Sequence, residues 1–545
     1  MSAPPLVVEA PPRQQAKQLP LRRPGARILL GIGGAVLLAA ALRFPQFTTR
    51  SIWFDEAASW QQSSLPAREL LHRLRFDTVL PPFFLLLKGW MAAFGESAAS
   101  LRGFSVLFGL LAVAGMYLFA FELYLLSRAA NEGRRTARGS MNAQWFALAV
   151  ALMVATSPFQ INAAIEVRMY APGTAAVALS SWLLLRALRS GAWRWWLAYG
   201  ASAGVTQYLH PYLLFSVAGQ FAALFGLIAA RFWRGKRRRA QSLAGRAGAA
   251  GALAAAMFLP GLPMFLAEHR MVHKGFWIAP LDAQLLADTF AQFVQPVDPP
   301  YGALRQVEAI GLTSVLLASV FVVAWRARRG DWMLIVSAAF PLAAAGLASL
   351  KTPIWEGRYF RFAHLFLLAL IALAAWRLLA RWPGVRAGLL LLLVWGNTFL
   401  AFDFWRSRQI ETCHGMRGAM ERVLASIGPG ELVVAESHLH FVPAKFYAGS
   451  QARVRLVGSM ARGRWARQFI PADDFIDNDQ LERSLETGVW FIGHGPLDRF
   501  ESSFDVPALH RVKVTETFVE RYDHGVPDWP IWVFHCFADR QAPSP

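Results

Sequence analysis

The stretch Ser51–Trp60, SIWFDEAASW, sets two carboxylates side by side among aromatic residues, directly after a long apolar run. A carboxylate at a membrane surface is costly unless it is wet, paired or employed. Asp55 reads as the employed one, a catalytic base at the edge of a bilayer. Neighbours on a helix point about 100° apart and on a strand point oppositely, so only one of the two carboxylates can face a common site. Glu56 fits an acidic helix start with Ser51 as cap, or a group that positions the acceptor or the loop. Asp77, ahead of Pro81-Pro82, is open between that positioning role and an N-cap for the segment 80–95.

The other candidates carry or flank positive charge. In FQINAAIEVRMYAPG, Glu166 and Arg168 fall in a turn between two apolar runs. They either pair with each other or present Arg168 to a phosphate, with Glu166 and Tyr170 in support. His210 precedes Pro211 at a corner, and Lys351 and Arg358 lie in KTPIWEGRYFRF with Arg361 close behind. His269, Arg270 and Lys274 form a basic group in AEHRMVHKGFW. Basic residues outside a membrane run against the positive-inside trend. They call for an anionic partner, such as a lipid head or a substrate phosphate.

The elements that must position these residues are membrane helices. Of 545 residues, 55% are hydrophobic and 17% charged, and apolar runs of spanning length recur, which defines a polytopic α-helical membrane protein. Spans are predicted near 28–44, 101–127, 144–163, 169–188, 196–210, 212–230, 248–267, 306–325, 332–350, 360–380 and 387–405, about eleven in all. The net charge of +20 sits in short segments between these runs, including RFWRGKRRR at 231–239. That distribution marks cytoplasmic loops facing anionic lipid and predicts no nucleic-acid partner. The charged leader, residues 1–27, is expected in the cytoplasm, followed by an uncleaved signal anchor. The segment 80–95 carries Lys88 and opens on two prolines, so it reads as interfacial or re-entrant. With that choice every basic cluster falls on one side, and a catalytic loop at 45–100 falls on the other.

Residues 406–545 change character: the runs ELVVAES, ARVRLVG, GVWFIGHG and PIWVFHCF alternate with turn signals, and an amphipathic helix is predicted near 415–427. This reads as a small α/β domain outside the membrane. Cys413 and Cys536, the only cysteines, are a candidate disulfide closing it in an oxidising periplasm. Seven of the twelve histidines lie beyond Trp405, with His438 and His440 expected on one strand face. They lack cysteines or carboxylates at ligand spacing, so no metal site is assigned there. GIGGAV at 31–36 and GASAG at 200–204 read as close helix packing.

WFDEAASW, PPFFLLLKGW, FGESAASLRGFSVLFG, SPFQINAAIEVRMY, YLHPYLLF and GRYFRFAHLFLLAL, taken in this order, resemble the dolichyl-phosphate-mannose protein mannosyltransferase-like group of GT-C membrane glycosyltransferases. The resemblance spans roughly residues 28–380, and the histidine of that group's Asp-x-His-Pro-Pro is absent after Asp77. It implies a GT-C-like transmembrane domain over 28–405 and inverting sugar transfer from a polyprenyl-phosphate donor. The acceptor would be a lipid, glycan or protein at the periplasmic face of a bacterial inner membrane. Asp55 would be the base, and Arg358, Arg168, His210 and Lys351 would hold the donor phosphate. No cofactor is expected, and a divalent metal is left open. The alternative class is a transporter or flippase for lipid-linked sugars, in which polar groups gather near mid-membrane.

Overall fold

The structure is a computed structural model that describes residues 26–74, 79–128, 137–273, 278–294, 303–325, 327–406, 415–458, 468–496, 512–521 and 530–539. The chain enters through α1 (Ala26–Arg43), then runs through α2 (Phe54–Ser64), α3 (Ala67–Arg73) and α4 (Pro82–Phe94) before the long α5 (Ala98–Arg128). Next come α6 (Ala137–Thr156), α7 (Pro158–Ile165), α8 (Tyr170–Ser190), α9 (Trp193–Thr206), α10 (Leu213–Trp233), α11 (Arg237–Phe258) and α12 (Leu262–His273). The helical part closes with α13 (Ala283–Val294), α14 (Ala303–Trp325), α15 (Arg329–Ser349), α16 (Arg361–Leu378) and α17 (Pro383–Arg406).

Among the described residues, eight helices are long and apolar enough to cross a membrane, or nine if α6 and α7 count as one. The protein is a multi-pass membrane protein. Its spanning helices differ in environment: α16 is 78% buried over its apolar window, whereas α17 is 11% buried and shows Leu391, Leu392, Trp395 and Phe399 on its surface. So α16 forms the centre of the bundle and α17 a lipid-facing rim.

The described helices depart from the expected spans at three places. The apolar stretch of α1 is too short to meet the spanning length, and α9 has 14 residues. The span expected at 144–163 is broken by a 61° bend between α6 and α7. Ser157 caps α7 by accepting from the Gln160 N–H at 3.4 Å, and Pro158 at the first turn has no N–H to continue α6. Hydropathy runs straight through this break because both sides are apolar. The expected packing role of GASAG is visible at Gly200, where an added Cβ would lie 2.6 Å from the Ala250 carbonyl oxygen of α11. Only glycine permits that approach.

The tail forms α18 (Gly415–Ser426), β1 (Leu432–Ala435), α19 (His438–Ala448), β2 (Arg453–Val457), β3 (Phe475–Ile476), β4 (Val489–Gly493), β5 (Val512–Arg521) and β6 (Pro530–Ala538). The sheet order is β3-β2-β1-β4-β6-β5; β3, β2, β1 and β4 are parallel, β6 is antiparallel to β4, and β5 is antiparallel to β6. Two details depart from expectation. His438 and His440 open a helix instead of sharing a strand, and β5, VKVTETFVER, was not anticipated because its many charged and polar residues mask its period. Cys536 is buried in β6, while Cys413 lies outside the described residues. The tail's apolar core includes Ile52 and Ala57 from the loop before α2 and from α2 itself. The small domain and the loop that carries Asp55 therefore share one core.

Candidate active site

The loop before α2 is held by one arginine. Arg102, near the start of α5, is 1% exposed and makes five hydrogen bonds. It donates to the carbonyls of Phe47 (2.9 Å), Arg50 (2.9 Å) and Ser51 (3.0 Å), and to both Glu56 oxygens at 3.0 and 2.8 Å. Five contacts match the five N–H groups of a guanidinium. Glu56 is equally engaged: it also accepts from the Val167 N–H at 3.3 Å and the Trp53 N–H at 3.5 Å. Glu56 is thus a loop-positioning residue, closed to a substrate. Breaking such a buried pair leaves an uncompensated charge, at a cost of about 3–5 kcal/mol. Glu56→Gln is expected to lower the thermal midpoint sharply in detergent; a variant as stable as wild type would remove this account.

The same turn that closes Glu56 frees Asp55. α2 begins at Phe54, after Trp53 in an extended conformation, so Asp55 stands in the first helical turn, where a carboxylate is favoured. Its Oδ2 lies 3.4 Å from Arg358 Nη1 and 3.9 Å from Arg168 Nε, with side-chain exposures of 18%, 26% and 17% for the three residues. These are longer and wetter contacts than the Glu56–Arg102 pair.

Of the two alternatives for this turn, a Glu166–Arg168 side-chain pair is not the one formed. Glu166 binds Arg361 Nη1 at 2.7 Å, and both are buried. Burial by itself raises the Glu166 carboxyl, but Arg361, with Arg358 and Arg50, holds it below its ordinary value. The Arg361 guanidinium stands 4.4 Å from the Tyr170 ring centroid, so Tyr170 supports a structural arginine through a cation–π contact. The bend between α6 and α7 brings the 166–168 turn under α2, where the Val167 N–H reaches Glu56 and Arg168 Nη1 reaches Ser59 Oγ at 3.5 Å.

His210 closes the far wall. Its ring lies 4.8 Å from Tyr359, 5.8 Å from Tyr170 and 5.3 Å from Phe362. Burial, reinforced by Arg168, Arg358 and Arg361, pushes it down to about 3. The imidazole is therefore neutral. Its Nδ1 accepts from the Tyr212 N–H at 3.1 Å, which puts the proton on Nε2. The sign of the linkage follows: the folded value lies below the ordinary 6.5, so the unfolded state holds more protons between the two. His210 costs stability as pH falls from about 6.5 toward 3, and nothing above it. Thermal midpoints should fall more steeply between pH 7 and 5 for wild type than for His210→Asn; equal slopes would remove His210 as a contributor.

Two solved structures share this architecture. ArnT from Cupriavidus metallidurans bound to undecaprenyl phosphate is 13% identical over 94% of this chain and 98% of its own, with a TM-score of 0.56. The apo state of ArnT from the same organism is 12% identical over the same shares, with a TM-score of 0.55. The chain has the GT-C fold. No family model matches it, and no curated protein matches it.

Within this GT-C fold, Asp55, Glu56, Glu166, Arg168, Tyr170, His210 and Arg358 come together from four separate segments. Lys351 is exposed just beyond α15, and His269 and Arg270 are exposed on α12. Asp77 and Lys274 lie outside the described residues. Arg102 was not assigned a role from sequence, and Arg361, expected only to need an anionic partner, finds it in Glu166. Arg102 could have been found: an arginine inside the apolar start of a spanning helix is expensive unless it has partners.

Proposed function

We propose that the protein is an inverting glycosyltransferase. It moves a sugar from a polyprenyl-phosphate donor to an acceptor hydroxyl at the periplasmic face of a bacterial inner membrane, with residues 1–27 in the cytoplasm and 406–545 in the periplasm. The observation that carries this reading is the contrast among carboxylates. Glu56 and Glu166 are buried and tied to arginines at 2.7–3.0 Å, whereas Asp55 is partly exposed and faces two guanidiniums at 3.4 and 3.9 Å. A base, two cations and an opening to solvent stand in one place. ArnT of Cupriavidus metallidurans, which has this fold, binds undecaprenyl phosphate, and that supports a donor of the same lipid class.

In this reaction the acceptor oxygen attacks the anomeric carbon from the face opposite the phosphate. The new C–O bond forms as the bond from the anomeric carbon to the phosphate oxygen breaks, and the acceptor proton passes to Asp55. The polyprenyl phosphate leaves with the bonding pair. Arg358 and Arg168 meet its growing charge, and the His210 Nε2–H is a further donor. The donor's prenyl chain lies along the apolar helices, and the site orients both partners.

The test is turnover of polyprenyl-phosphate hexose, aminosugar and pentose donors by the protein in nanodiscs, with cell-envelope extract as acceptor source and mass spectrometry as readout. Consumption of one donor is the expected result. If none is consumed while a labelled lipid-linked sugar crosses liposome bilayers, the protein is a flippase.

A further inference from the structure

A cavity of about 450 Å3 lies at the seam between the α2 loop and the tail domain, and none of the groups assigned to the reaction lines it. One wall is Arg50, Trp60 and Glu96; the other is Arg417, Phe446 and Tyr447 from α18 and α19. It exists because the two parts are docked. Ile52 N–H donates to the Tyr447 hydroxyl at 2.5 Å, Arg417 donates to the Thr48 carbonyl at 2.9 Å, and Trp60 meets Phe446 edge to face at 5.2 Å. Gly95 ends α4 at φ +79°, a left-handed turn that glycine adopts without strain. Glu96 follows at once and accepts from Trp60 Nε1 at 2.6 Å.

We infer that this seam is a saccharide-binding subsite for the acceptor. The volume falls in the range of about 300–1,000 Å3 common to small-molecule sites. The wall mixes aromatic faces, which suit the C–H faces of a sugar ring, with a carboxylate that accepts from hydroxyls and guanidiniums that donate to them. Arg417 is paired with Glu421 at 2.7 Å and Glu96 with Trp60 Nε1 at 2.6 Å, and a hydrocarbon chain here would strip water from these charged groups while adding no polar contact. Trp60 follows Asp55 by five residues on one helix, which places it about 140° around the axis and about 7.5 Å along it. The ring held in the seam is therefore a non-reacting unit of an acceptor with more than one sugar, and it contributes binding at a distance from the chemistry. As an acceptor subsite it rests on the transferase reading; as a saccharide site it does not.

The test separates the two. Saturation-transfer NMR on the full protein in nanodiscs would use maltotriose, chitotriose and a glucosamine disaccharide as probes. At least one probe should show transfer, reduced at least fivefold in both Trp60→Ala and Glu96→Gln; the second variant changes an exposed side chain and spares the fold. No binding by any probe, or equal transfer in the variants, overturns the subsite. In turnover assays the same variants should raise the acceptor KM more than they lower kcat. An equal loss of kcat with unchanged KM overturns the acceptor role. Probe binding in a protein that transfers no sugar would leave a saccharide site while refuting the transferase reading and the acceptor role with it.

Discussion

Asp55→Asn is expected to leave the protein folded and to reduce turnover at least about 100-fold, the scale on which a positioned general base acts. The substitution keeps the shape and the hydrogen-bonding oxygen but removes the capacity to hold a proton. Structure should survive because Asp55 is not a core ion pair: its contacts to Arg358 and Arg168 are 3.4 and 3.9 Å, and the loop is held by Arg102 through other atoms. Single-turnover mass spectrometry gives the rate, and thermal midpoints in detergent check the fold. Near-normal turnover would move the base away from Asp55. Glu56 could not inherit the role, since both its oxygens are taken by Arg102, which leaves Asp77 as the next carboxylate to test.

Arg358→Ala is the second large effect, a fall of about 10²–10³ in kcat, the usual loss when one preorganised donor to a developing oxyanion is removed. Arg358 is 26% exposed, reaches Asp55, and stands over the Tyr359 ring with its guanidinium carbon 5.8 Å from the centroid. Arg358→Lys keeps the charge but loses the planar fork, so it should recover part of the rate. Native mass spectrometry should show undecaprenyl phosphate retained less well by the alanine variant. Full retention together with full activity would assign the leaving-group role to other cations. Arg361→Ala is a useful contrast: because Arg361 is buried against Glu166 at 2.7 Å, its loss should appear first as instability.

The membrane character and most of the helices were legible in the sequence because the bilayer imposes a local rule: every backbone group must be satisfied within the segment, so apolar length reports a helix directly. The tail's four anticipated strands were legible for a similar reason, through short apolar runs between turns. Local rules failed where two signals overlapped. Apolar residues on both sides of Ser157-Pro158 hid the bend, and ESHLHFVPAKFYA carried no helical stripe strong enough to displace a strand.

At the site the division is sharper. Residue types, with the family resemblance, put Asp55, Glu56, Asp77, Arg168, His210, Lys351 and Arg358 forward together, because charged groups beside apolar spans need a reason to be there. They did not reveal which carboxylate is available. Glu56 is closed by Arg102, 46 residues away, and Glu166 by Arg361, 195 residues away. Asp55 alone of the three is left with long, partly hydrated contacts. Pairing depends on which side chains the helices bring within about 3 Å, and no local pattern records that. The sequence determined the solvent, the helices and the chemical repertoire. Tertiary packing decided which carboxylate was spent on holding the loop and which was left partly exposed.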